Sequence, residues 1–292
     1  MDEYFTPNGK FALDTQAAYV LSLYYKIYRK KEKVIEDFKE RIRKDFYRIK
    51  TGFTGTPLIL LCLFDNGMDD YAYRILFNEK FPGWIYCIKL GATTIWERWN
   101  SLLEDGTISG IGMNSLNHYA YGSVCETIFS RIVGLRNVCP GWKKVLIKPQ
   151  INYRLKSITF SFESISGKFE ICWKIQNEKF NLNVVIPNGV EAEIVLPNQK
   201  SYKVTEGKYD YECEIEKNIY APFSIDSPII DILNNEDASK LFKELLPNTF
   251  HMATGENDEI KVGTIKQLNS YRVIDSKENI KKFNEELSKV RP

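Results

Sequence analysis

Hydrophobic positions along the first 136 residues recur with helical spacing. In "FALDTQAAYVLSLYYKIY" (11–28) small and apolar residues cover one broad face, which predicts a buried helix. In "VIEDFKERIRKDFYRI" (34–49), Ile35, Phe38, Ile42 and Phe46 recur every three to four residues and predict an amphipathic helix lying outward. The apolar run "TPLILLCLFDNG" (56–67) predicts a helix opened by Pro57 and closed by Gly67. "MDDYAYRILFNE" (68–79) predicts another, with Asp69 or Asp70 as a capping residue near its start. A further helix is expected through "HYAYGSVCETIFSRIVGL" (118–135). Alternation of buried and amphipathic helices over short loops predicts helical hairpins packed side by side.

After Cys139-Pro140-Gly141 the period changes to two. "KKVLIKP", "LKSITFSFES", "KFEICWKIQ", "KFNLNVVIP" and "VEAEIVLP" alternate apolar and polar residues. Ser166-Gly167, Pro187-Asn188-Gly189 and Pro197-Asn198 separate them. This is the pattern of antiparallel strands forming a β-sandwich. A boundary is therefore expected near residues 136–143, giving a helical part at 1–138 and a sandwich at 139–228. The tail, 229–292, turns helical again: "DASKLFKELLP" and "SKENIKKFNEELSKV" are polar amphipathic segments around a possible strand pair.

Composition narrows the function classes. Lys and Arg total 40 against 38 Asp and Glu, a net charge of +2, so no global field points to nucleic acid or to acidic partners. The six cysteines, Cys62, Cys87, Cys125, Cys139, Cys172 and Cys213, are scattered with no CxxC pair, and read as buried free thiols of a reducing, cytoplasmic compartment. His118 and His251 are the only histidines, which argues against a zinc site, and no cofactor motif stands out. "MDEYFTPNGK" is acidic and polar and does not read as a signal peptide. The most apolar run is too short to span a membrane.

Candidate chemistry lies in "GATTIWERW" (91–99), where Glu97 stands between Trp96 and Trp99. A carboxylate beside aromatic walls suits a sugar site, with C–H faces stacked on rings and the acid moving protons. The same residues also fit an ordinary solvated helix position, with Glu97 paired to Arg98 or a lysine. Three stretches stand together with it: "TGFTGTPLILLCLFDNG" (51–67), "FPGWIYCIKLGATTIWERWNS" (81–101) and "MNSLNHYAYGSV" (113–124). In this order they closely resemble the C-terminal part of the catalytic domain of bacterial α-L-rhamnosidases, glycoside hydrolase family 78. "PGWKKVLIKP" and the strands after it resemble that family's C-terminal sandwich.

The resemblance extends to about residue 225. It implies an α+β multidomain chain: a partial (α/α)6 barrel of helical hairpins, an antiparallel β-sandwich and a short mixed tail. It also implies a terminal α-L-rhamnoside as substrate, hydrolysed with inversion. Carried over by motif, Glu97 is the general base and His118 contacts the sugar ring. Trp84, Tyr86, Trp96 and Arg98 are candidate binding residues, with Asn117 adding donor and acceptor groups. Trp84, Tyr86, Trp96 and Trp99 could equally be barrel core, Arg98 could orient Glu97 or make a structural salt bridge, and Asn114 or Asn117 could cap the helix near His118.

Six hairpins require about a dozen helices, and residues 1–136 supply about half. The family's Asp- and Arg-rich motif, which bears the general acid, belongs to the other half. The chain thus reads as the C-terminal piece of a rhamnosidase, with Met1 just before a helix. Its exposed face would drive self-association or docking onto a separately encoded N-terminal half. A non-catalytic carbohydrate-binding fragment is the alternative. Another (α/α)-barrel enzyme, such as an unsaturated-uronide hydrolase, fits the motif pair poorly.

Overall fold

Thr15 begins the first helix by accepting the Ala18 amide at 3.2 Å in this computed structural model. Described residues are 4–7, 9–110, 112–215, 223–255, 257, 260–261, 263–271 and 274–290, so the expectation attached to Met1 lies outside them. The chain divides into two compact units, Met1–Glu216 and Lys217–Pro292.

In the first unit, α1 (Gln16–Tyr24) buries Tyr19, Val20 and Leu23. Helix α2 (Lys31–Lys44) buries Val34, Asp37, Phe38 and Ile42. Two expectations for its stripe change. Val34 rather than Ile35 is buried, and Phe46 lies past the end with φ +60°. The helix stops because Asp45 is pinned across to α1: Gln16 Nε2 donates to Asp45 at 2.9 Å, and Arg41 donates to both of its oxygens at 3.0 and 2.9 Å.

Helix α3 (Gly52–Asp65) starts five residues before Pro57, which lies inside it. Proline there forfeits only the bond to the Phe53 carbonyl, and the rest of the first turn has no intrahelical acceptor anyway. Gly67 closes α3 with φ +68°, while Met68 N–H reaches Leu63 O at 2.9 Å and Gly67 N–H reaches Phe64 O at 3.3 Å. Helix α4 (Asp69–Leu76) follows, and then the six-residue α5 (Trp84–Lys89), where no helix was expected. Neither Asp69 nor Asp70 caps α4: the N-cap is Met68 with no side-chain cap, Asp70 pairs with Arg74, and Asp69 accepts from Gln150. The last helical stretch is 3-10 at Ala120–Ser123, α at Val124–Thr127 (α6) and π at Ile128–Val133.

The chain turns from helix to strand at Gly134, whose φ is +89° and where a Cβ would lie 2.3 Å from Pro149 N. Only glycine fits so close to another backbone. Strands β1 (Leu135–Asn137), β2 (Lys144–Ile147), β6 (Glu191–Val195) and β7 (Ser201–Val204) form one sheet. Strands β3 (Ser157–Ser164), β4 (Gly167–Gln176), β5 (Lys179–Ile186) and β8 (Gly207–Glu214) form the other. All pairs are antiparallel except β2 with β6, which is parallel. Phe169, Ile171, Trp173 and Ile175 of β4, with Phe180, Leu182, Val184 and Ile186 of β5, point into the core, as their alternation requires.

Gln150 ties sandwich to helices. Its N–H donates to Arg131 O (2.8 Å), and its carbonyl accepts from the Tyr73 hydroxyl (2.8 Å). Its Oε1 accepts from Arg136 (3.0 Å), and its Nε2 donates to Phe64 O (3.2 Å) and Asp69 Oδ1 (3.1 Å). Trp173 Nε1 donates to Ile132 O at 3.0 Å alongside.

Burial raises the Asp69 carboxyl from 3.8 to about 6, against the opposing Gln150 bond. The folded form therefore holds a proton that the unfolded chain releases between those values. Stability falls as pH rises through this window, by about 1–3 kcal/mol once both forms are ionised. Asp69→Asn, which keeps an acceptor for Gln150, should raise Tm at pH 7.5 and leave it nearly unchanged at pH 3.5. Thermal melts across pH 3.5–7.5 check this; parallel curves for parent and variant would refute it.

The second unit is helical: α7 (Ile229–Asn234), α8 (Glu236–Leu245), α9 (Pro247–Ala253), α10 (Ile265–Tyr271) and α11 (Lys277–Leu287). Its core gathers Ile229, Ile232, Phe242, Leu246, Ile265 and Phe283. Among the described residues the expected strand pair is only one bridge, Pro228 to Thr264. Asp275 accepts from Thr249 N at 3.0 Å and from Asn248 Nδ2 at 3.1 Å, satisfying the first turn of α9 from a distance.

Cys62, Cys87 and Cys213 are buried, Cys139 and Cys172 are half-buried, and Cys125 is exposed, against the expectation of six buried thiols. No described helix is long and apolar enough to cross a membrane.

Candidate active site

The loops before and after residues 102–112 are joined by main-chain bonds. His118 N–H donates to Ile95 O at 2.7 Å, Glu97 N–H donates to Ser115 O at 2.9 Å, and Thr94 Oγ1 bonds Leu116 O. "TTIWERW" and "MNSLNHYAYG" are thus one structure, and Glu97 and His118 share its scaffold. Ser101, fully buried, holds the base of the excursion: it accepts the Arg98 N–H on Oγ (3.1 Å), and its carbonyl accepts from Asn114 Nδ2 (3.1 Å).

Glu97 is half-buried, and among the described residues no hydrogen bond or ion pair engages its carboxylate. Arg98 does not pair with it: the guanidinium donates to Gly112 O at 2.9 Å and fastens the loop. Asn117 is exposed and turns with Ser115, whose Oγ donates to its carbonyl at 3.0 Å. Neither Asn114 nor Asn117 caps the 3-10 turn, whose N-cap is Tyr119 with no side-chain cap; His118 Nδ1 accepts the Ala120 N–H at 3.2 Å.

Aromatic rings run through the site in sequence. Trp84 meets Trp99 edge-on at 5.3 Å, and Trp99 stacks on Tyr121 at 4.0 Å and 8°. Tyr121 meets Phe53 at 5.1 Å, Phe53 meets His118 at 5.5 Å and 19°, and His118 meets Tyr119 at 5.1 Å and 9°. The series passes from Trp84, 6% exposed and bonded through Nε1 to Tyr121 O, to Tyr119, 88% exposed. Trp96 is buried. Tyr86 lies outside the series, edge-on to Phe81 at 5.5 Å.

A cavity of about 420 Å³ lies beside this series, lined by Trp84, Trp96, Trp99, Tyr121, Ile95 and Val124 among others. Its walls are almost wholly apolar, and Glu97, Arg98, Asn117 and His118 are absent from them. Such walls suit aliphatic side chains, whereas a sugar needs converging polar groups. Glu97 and His118 lie outside this cavity, half-buried on the paired loops. Cys87, at the cavity wall, is pushed up to about 11 by burial and is no nucleophile near neutral pH.

Phe53, Tyr119 and Tyr121 belong to this arrangement and were not singled out from the sequence. Each lies inside a motif that was. Their aromatic character beside Glu97 and His118 was the available signal, but helix α3 was expected to begin only at Pro57.

Family comparison agrees with the layout. The model described as bacterial alpha-L-rhamnosidase 6 hairpin glycosidase domain matches residues 1–132, and that for the bacterial alpha-L-rhamnosidase C-terminal domain matches 134–210. An alpha-L-rhamnosidase of Formosa agariphila is 39% identical over 206 residues, 68% of this chain and 22% of that protein. One from Alteromonas sp. is 38% identical over 187 residues, 63% of this chain and 20% of that protein. The structure of Streptomyces avermitilis alpha-L-rhamnosidase complexed with L-rhamnose superposes with a TM-score of 0.68 at 31% identity, covering 72% of this chain and 22% of that one. The chain spans about a fifth of the length of these relatives.

Proposed function

Because the chain belongs to the bacterial α-L-rhamnosidase family, we propose that it carries the later hairpins of a rhamnoside-hydrolysing barrel, with Glu97 as general base. The helical part, up to Gly134, supplies one wall of the sugar site; the sandwich, from β1 to β8, supports it; the second unit is given no part in the chemistry. One observation carries the reading: Glu97 and His118 are held by the same pair of hydrogen-bonded loops, at the exposed end of an aromatic series.

In this mechanism the Glu97 carboxylate takes a proton from water as it attacks the anomeric carbon, opposite the departing alcohol. Inversion needs a second carboxyl about 6.5–9.5 Å away to protonate that alcohol. The other acids of the loop do not suit that role. Glu104 and Asp105 are exposed, and the Thr107 side-chain and main-chain bonds hold Asp105 below its ordinary carboxylate range, the reverse of what a general acid requires. Asp69 is bonded to Gln150 between helix and sandwich, not within the Glu97 loop. As the resemblance to the family implies, the acid comes from the hairpins that precede this segment in a complete barrel, whether in the same polypeptide or a separate one. Stereochemistry tests the scheme: proton NMR of the first-formed sugar from a completed barrel should show the β-anomer, and the α-anomer would exclude it.

His118 meets a ring hydroxyl in this reading, and Trp96 with Trp84 stiffens the wall from behind. His118→Ala should cost about 2–4 kcal/mol in kcat/KM, the loss of a buried hydrogen bond to substrate plus looser positioning. Unchanged kinetics in a folded variant would remove His118 from the site. Carbohydrate binding without turnover is the second reading, favoured by the run of aromatic faces that reaches His118 and Tyr119.

A further inference from the structure

Phe53 is 48% exposed on the first turn of a buried apolar helix, where a large ring gains little from the core. It lies nearly parallel to the His118 imidazole, as does Tyr119. The same imidazole accepts the Ala120 N–H on Nδ1 at 3.2 Å, while the His118 main-chain N–H donates to Ile95 O at 2.7 Å. The plane, backbone position and one nitrogen of His118 are therefore all specified, and Nε2 is the atom left to meet a ligand. A nitrogen that accepts an N–H carries no proton of its own, so the neutral ring must carry its proton on Nε2.

We propose that Phe53 is a positioning residue that holds His118 in this single neutral tautomer, so that Nε2–H is presented to a sugar hydroxyl as a donor. The proposal rests on the rhamnoside reading only for the identity of the ligand; the tautomer and its dependence on Phe53 stand on the geometry. Without Phe53 the ring loses a flat support, rotates about its side-chain bonds, and releases the weak 3.2 Å bond from Ala120. It then accepts through Nδ1 or donates through Nε2 as solvent dictates, and recognition of a hydroxyl loses direction.

The chain suits a direct test because it has two histidines, so His251→Gln leaves a single imidazole to assign. In the nitrogen-15-labelled chain at pH 8, His118 should show an unprotonated Nδ1, a protonated Nε2, and a scalar coupling across the hydrogen bond between Ala120 N and Nδ1. Phe53→Leu should abolish the coupling and average the two ring nitrogen shifts, while the remaining amide spectrum reports an intact fold. Phe53→Tyr should restore both. A protonated Nδ1 in the parent, or a coupling that survives Phe53→Leu, would overturn the proposal. L-Rhamnose added to a completed barrel separates the two readings. A shift of the Nε2–H signal supports both. An intact lock with no shift at saturating sugar supports the tautomer and sinks His118 as a rhamnose contact.

Discussion

Replacing Glu97 with glutamine should lower kcat at least about a thousandfold in a barrel completed with its N-terminal hairpins. Loss of a general base alone is worth about 10²–10⁴, and the amide also removes the negative charge that faces the developing oxocarbenium ion. KM should change little, because the isosteric amide keeps the shape of the site. The fold should survive, since no described partner depends on the Glu97 side chain and the main-chain bond from Glu97 N to Ser115 O is untouched. Steady-state hydrolysis of an aryl α-L-rhamnoside checks this. A variant retaining more than a tenth of the parent rate would assign the base to another residue.

Residues 1–292 expressed alone should show no measurable α-L-rhamnosidase activity. On the proposed reading Glu97 supplies the base only, and a leaving alkoxide without a proton donor is a poor leaving group. The barrel wall is also one-sided. Leu13, Tyr24, Tyr25 and Ile27 are 45–60% exposed near α1, and Ile88 is 59% exposed on α5. Apolar surface of this kind draws association, so the chain alone should form oligomers that dissociate when the preceding hairpins are supplied. Activity assays and light scattering, with and without those hairpins, test both parts. Turnover by the chain alone would mean that it holds an acid of its own.

Periodicity made most of the fold legible. Buried α1 and α3, amphipathic α2 and five of the eight strands follow from spacing of 3.6 and 2. What escaped has local causes. Strand β1 has three residues and β7 four, too few for a period to register. Strand β8 alternates Tyr209, Tyr211 and Cys213 with charged residues, a readable pattern passed over because aromatic and acidic residues share it. The parallel pairing of β2 with β6 lies beyond any periodicity, which fixes the face of a strand and not its neighbour. Proline at 57 drew the start of α3 forward, and with it hid Phe53. At the site the motifs brought out Glu97, His118 and the indoles, but not how they are held. Capping by Asn114 or Asn117 was the natural expectation from residue type; instead the main-chain bond to Ile95 sets His118, not the asparagines, beside the Ala120 amide.

The Gln150 junction bears on where this protein can be cut. The change of period near residue 138 invites separate expression of helices and sandwich. A cut there would strip Tyr73 and Asp69 of their shared partner and leave the Trp173 indole N–H without Ile132 O. Each orphaned buried group costs about 1–3 kcal/mol, a large share of the 5–15 kcal/mol that holds an ordinary domain together. A trimmed protein that is to behave in solution should keep helices and sandwich on one continuous piece and lose residues only beyond β8.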